Sequence, residues 1–143
     1  MDRLDFEQLC CDTSVELGVE DIGALGQGFS LLFNSVAFET VFHEGDSNFL
    51  LTAELGTVEE ACRTRVYENL LTTQLMAWNR PGLRFGFDPQ RRTVMLCVDA
   101  AFNPQTTSAW LAALVRSIAA QTLEWRKTLL AGIVRAGGLG HQT

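Results

Sequence analysis

The sequence predicts an α+β fold: three helices against a twisted antiparallel sheet, in the order α-β-β-β-α-β-β-α. Two observations carry this. Leu83-Arg84-Phe85-Gly86-Phe87-Asp88 and Thr93-Val94-Met95-Leu96-Cys97-Val98 are strand-like runs separated by a short turn, as in a hairpin. After them Leu111, Leu114, Val115, Ile118, Thr122, Trp125 and Leu129 recur every three or four residues, the period of a helix with one buried stripe.

The elements follow in order. Phe6, Leu9, Cys10, Thr13 and Leu17 form a first helical stripe that ends at Gly18, a residue suited to a helix C-terminus. Gly23, Gly26 and Gly28 read as a flexible connection. Three strand-like runs come next: Phe29 to Phe33, Val36 to His43 and Phe49 to Leu55. Asn34-Ser35 and Gly45-Asp46-Ser47-Asn48 separate them with turn chemistry. Thr57 and Glu60 have capping-box spacing for a second helix reaching Ala77 or Trp78, which Pro81-Gly82 would end. Pro104 and Thr106-Thr107-Ser108 open the last helix, and Gly137, Gly138 and Gly140 predict a frayed tail after Arg135. No repeat or linker divides the 143 residues, so a single domain over 1–143 is expected.

Composition narrows the function. With 47% hydrophobic and 20% charged residues the chain is globular. A core of this size removes roughly two-thirds of the unfolded surface from water. Eleven Lys and Arg against 17 Asp and Glu give a net charge of −6, which disfavours nucleic acid and anionic membranes. It suits a basic partner or simple solubility. No run approaches the roughly 20 apolar residues of a membrane span. Met1-Asp2-Arg3-Leu4-Asp5 lacks the basic start and apolar run of a secretory signal. Cys10, Cys11, Cys62 and Cys97 include no Cys-x-x-Cys pair and no His spaced for zinc, so reduced thiols and no metal are expected.

Catalytic patterns are missing. The glycines lack Gly-x-Gly-x-x-Gly order, no phosphate loop follows, and there is no Gly-x-Ser-x-Gly elbow. His43 beside Glu44 could form an acid–base pair, but an exposed strand-end histidine explains it more simply. Cys10 and Cys11 point about 100° apart on a helix, so one belongs to the core and the other lies partly exposed. Glu59-Glu60 and Glu20-Asp21 fit a helix start and a loop, and Arg91-Arg92 a solvated turn. Neither an enzyme nor a cofactor-binding protein is predicted.

Apolar residues instead fall on the wrong side of the strands. With Phe29, Leu31, Phe33, Phe38, Phe42 and Phe49 facing the core, Leu32, Val41, Leu50, Met95 and Cys97 face away. Either helices cover both faces of the sheet or the outer face associates with another chain. On the last helix Leu123, Leu130 and Val134 lie off the main stripe.

Four segments, in order, resemble the Tir chaperone (CesT-like) family, the class I chaperones of bacterial type III secretion. They are Leu50-Leu51-Thr52-Ala53-Glu54-Leu55-Gly56, Asn69-Leu70-Leu71-Thr72-Thr73-Gln74-Leu75-Met76, the Leu83–Asp88 hairpin with Val94-Met95-Leu96, and Ala120–Leu129. Gln74 stands where the family often has Asn, and Arg91-Arg92 replaces a Gly-containing turn.

The resemblance implies a secretion-chaperone-like fold and a cytoplasmic bacterial homodimer. The dimer would bind the N-terminal segment of a secreted effector in extended form and keep it competent for secretion. Release would fall to a separate secretion ATPase, and neither nucleic acid nor membrane insertion would be involved. Leu71, Leu75, Trp78, Leu83 and Phe85 would form the dimer interface, and Leu32, Val41, Leu50 and Met95 would contact the effector together with the first helix. A regulatory chaperone of the same fold, sequestering a secreted regulator or anti-activator, is the alternative. A small enzyme using His43 or a cysteine is the third reading.

Overall fold

A computed structural model describes residues 2–76 and 82–130. Among them are helices α1 (Arg3–Leu17), α2 (Arg63–Met76) and α3 (Ser108–Lys127), and strands β1 (Leu31–Phe33), β2 (Val36–Val41), β3 (Asn48–Gly56), β4 (Leu83–Asp88) and β5 (Thr93–Ala101). The strands form one antiparallel sheet in the order β1-β2-β3-β5-β4, so the α+β prediction and its element order hold. Trp78, the predicted end of α2, and the glycine-rich tail lie outside the described residues.

Local chemistry sets the boundaries. Asp2 caps α1 in a reciprocal box with Asp5, and Gly18 ends the helix in the left-handed conformation. Asn34 and Ser35 both have positive φ, at 50° and 66°, and these angles make the two-residue turn between β1 and β2. Thr107 accepts a hydrogen bond from the Trp110 amide and starts α3.

The structure departs from the sequence reading at four places. The Thr57–Glu60 capping box is absent. A 3-10 turn occupies Glu60–Cys62 and α2 begins at Arg63. Register shifts between Glu54 and Gly56 at the end of β3, and Val58 packs on the core, so the chain is drawn along the sheet before it can coil. Phe29 does not face the core but is 64% exposed, because β1 starts two residues later. β2 stops at Val41, before His43. Within the glycine segment Ala24, Leu25 and Gly26 are buried, while Gly23 and Gly28 are exposed. A 3-10 turn at Leu25–Gln27 lies so close to α1 that a Cβ on Gly26 would sit 3.1 Å from the Glu7 Cα.

The core lies between the helices and one face of the sheet. Phe6 of α1 stacks on Phe42 at 4.6 Å and meets Phe49 and Phe102 edge-on, giving an aromatic cluster at one end. Leu111, Val115, Ile118, Thr122, Trp125 and Leu129 are buried as the helical period requires, and Leu114 is half-buried. Arg126 anchors the end of α3 by donating to the carbonyls of Leu55, Glu54 and Ser35 at 2.7–2.8 Å.

Candidate partner-binding surfaces

Register sorts the other sheet face into rows. Val41 pairs with Leu50 and Leu50 with Asp99. Glu39 pairs with Thr52, Thr52 with Cys97, and Cys97 with Arg84. Glu54 pairs with Met95, and Met95 with Gly86. Leu32 pairs with Ala37 at the β1 edge. None of these residues is buried, whereas their sequence neighbours Leu31, Phe38, Phe49, Leu51, Leu96 and Ala100 all are. Among the described residues the helices thus cover one face and leave the other open.

All four residues expected to contact an effector lie on that open face. Leu32 is 69% and Val41 46% exposed, while Leu50 and Met95 are half-buried among their sheet neighbours. The face is not purely apolar. Arg91, on the β4–β5 turn, reaches across the strands to Glu39 at 3.0 Å and Glu54 at 3.8 Å, and also pairs with Asp88. The hydrogen bond to Glu39, reinforced by its charge, raises the Arg91 pKa. Arg84 pairs with Asp99 on the same face and is held charged by that bond. Pairs this exposed contribute little stability, but they determine which charges an incoming chain would meet. The sequence reading took Arg91 as turn solvation; its partners lie up to 52 residues away and no local pattern reveals them.

The second surface is the outer side of α2. Its Val66, Leu70 and Thr73 are buried, leaving Leu71, Leu75 and Met76 exposed at 72%, 73% and 56%. Of the remaining residues assigned to a dimer interface, Leu83 and Phe85 are half-buried against the core, and the Phe85 ring lies 5.2 Å from that of Trp125. Structure brings Leu71 and Leu75 together on one helix face, with Leu83 and Phe85 on the neighbouring β4. Trp78 lies outside the described residues. Sequence reasoning missed the link between the two elements: the Gln74 side chain bonds the backbone of β4 at Leu83 and Phe85.

A third set of exposed apolar side chains lies on the helical layer, at Leu4 and Val15 of α1 and Trp110 of α3. Among the described residues no group of His, Cys, Asp and Glu could hold a metal ion. No described helix is long and apolar enough to cross a membrane. Cys10 is buried, and burial pushes its thiol up to about 12; Cys97 is also raised by burial. Neither has the activated thiolate of a nucleophile.

These features define an α+β domain with one bare sheet face and apolar residues on its outer surfaces. The same architecture occurs in known complexes. A chain from the crystal structure of the ExsC–ExsE complex superposes with a TM-score of 0.71 at 21% identity, over 91% of this chain and 98% of that one. A chain of the HopA1–SchA chaperone–effector complex gives 0.64 at 16% identity, over 88% and 96%. At these identities the likeness establishes the fold. No protein-family model and no curated protein sequence matches the chain.

Proposed function

We propose that this protein is a type III secretion chaperone of the Tir chaperone (CesT-like) kind. It acts as a homodimer that binds the N-terminal segment of a secreted effector and keeps it soluble and competent for secretion. One observation carries the reading: a fold shared along nine-tenths of the chain with a component of a chaperone–effector complex. The exposed apolar positions support it, because an extended ligand that loses entropy on ordering needs a large surface to bind. In this reading Leu32, Val41, Leu50 and Met95 contact the effector, and Leu71, Leu75, Trp78, Leu83 and Phe85 the second subunit. The protein works in the bacterial cytoplasm, without catalysis or cofactor, and hands its cargo to the secretion ATPase.

A regulatory chaperone that sequesters a secreted regulator is the second reading. It is favoured by the higher likeness to a chain of the ExsC–ExsE complex. Deleting the gene separates the two. Loss of one secreted protein from the culture supernatant, restored by the wild-type gene, supports the effector chaperone. Altered expression of the whole secretion operon supports the regulator. An unchanged set of secreted proteins with unchanged expression contradicts both.

A further inference from the structure

β4 is a sheet edge, and edges are where one chain adds backbone hydrogen bonds to another. In an antiparallel ladder alternate residues face the neighbouring strand. The Asp99 amide donates to the Gly82 carbonyl at 2.9 Å, so residues of that parity point toward β5, and Leu83 and Phe85 direct their backbone groups outward. Those outward groups are not free. Gln74 Nε2 donates to the Leu83 carbonyl at 2.9 Å, and Gln74 Oε1 accepts from the Phe85 amide at 2.8 Å.

The spacing of these bonds is informative. A residue in a parallel strand donates its N–H to one carbonyl and accepts from the amide two residues further on. The Gln74 carboxamide does the same opposite Arg84, with one side-chain amide doing the work of a strand's backbone. Asn carries the same carboxamide on a side chain one methylene shorter, and so reaches less far from the same helix position. We propose that Gln74 is a strand surrogate: it closes the Leu83–Phe85 edge against backbone pairing and leaves association here to side chains, those of α2 foremost. Leu71 and Leu75 flank it on that helix and are the groups a second chain would meet. The proposal goes beyond the chaperone reading and does not depend on the identity of any cargo.

Gln74→Met keeps the length of the side chain and removes both bonds. Hydrogen exchange at the Phe85 amide should accelerate by about tenfold or more, while β5 amides keep their wild-type rates. Its mass by light scattering should rise with concentration beyond that of the wild type. Wild-type protection at Phe85, or opening there without added association, overturns the proposal. Gln74→Glu provides a test that survives poor folding of the Met variant. An ionised carboxylate can still accept from Phe85 but confronts the Leu83 carbonyl with a second acceptor; protonation restores the donor. Its deficit in thermal midpoint relative to wild type should therefore shrink from pH 7 to pH 4. An equal deficit at both pH values shows that the donor is not used and overturns the proposal.

Discussion

Trp125 joins α3 to the edge hairpin. Its side chain is 4% exposed, its ring meets Phe85 at 5.2 Å, and its indole Nε1 has no hydrogen-bond partner among the described residues. Trp125→Ala should lose about 3–5 kcal/mol of stability in denaturant unfolding, as large aromatic truncations in cores do. Trp125→Phe should lose much less, since it keeps most of the packing and removes a donor that is buried without an acceptor. Equal losses would mean that the indole nitrogen contributes to the fold. Cys10 makes the corresponding statement about charge. Burial lifts its thiol from 9.0 to about 12, so folding favours the protonated form. That contribution is complete below about pH 9 and is lost as pH rises toward about 12. At pH 8 the half-exposed Cys11 should be alkylated by iodoacetamide well before Cys10, with peptide mass mapping as the readout.

At the scale of elements, close approach of backbones explains what hydrophobic periodicity does not. A Cβ on Gly26 would meet the Glu7 Cα at 3.1 Å and the Cys10 Cβ at 3.3 Å, neither of which is the free end of a flexible side chain. Gly26→Ala should therefore cost roughly 1–3 kcal/mol by forcing the 3-10 turn away from α1, measurable as a lowered thermal midpoint. Such contacts are why Gly26, which reads as part of a loose connector in sequence, is a packed position in space. The α1 stripe, the β1–β2 turn at Asn34-Ser35 and the α3 stripe were legible because each writes its geometry into adjacent positions. So was the outward set Leu32, Val41, Leu50 and Met95, because a strand's period of two assigns faces once the core residues are chosen. Phe29 was misassigned because alternation was extended past the true start of β1. The Thr57–Glu60 spacing imitated a cap that the end of β3 overrides. The reach of Arg91 and the Gln74 bonds left no trace in sequence, since each joins a side chain to groups brought near only by the folded chain.

At the scale of the whole molecule, the division is between a core closed by helices on one face and apolar positions left open elsewhere. Among the described residues the open set includes Leu32 and Val41 on the sheet and Leu71, Leu75 and Met76 on α2. Exposed substitutions should separate folding from association. Leu32→Asp should leave the circular dichroism spectrum and thermal midpoint close to wild type and abolish binding of the proposed secreted partner. Met95→Asp should do the same at a modest cost in stability, because Met95 is half-buried. Loss of the fold in either variant would place that side chain in the core. The net charge of −6 attracts basic segments, so association with a basic partner segment should accelerate as ionic strength falls.

The most direct test of the account is the mass of the purified wild-type chain at micromolar concentration by light scattering, alongside the Leu71→Asp/Leu75→Asp variant. The account predicts twice the 15.8 kDa chain mass for the wild type and a folded species of single-chain mass for the variant. A wild type that stays at the single-chain mass would contradict it.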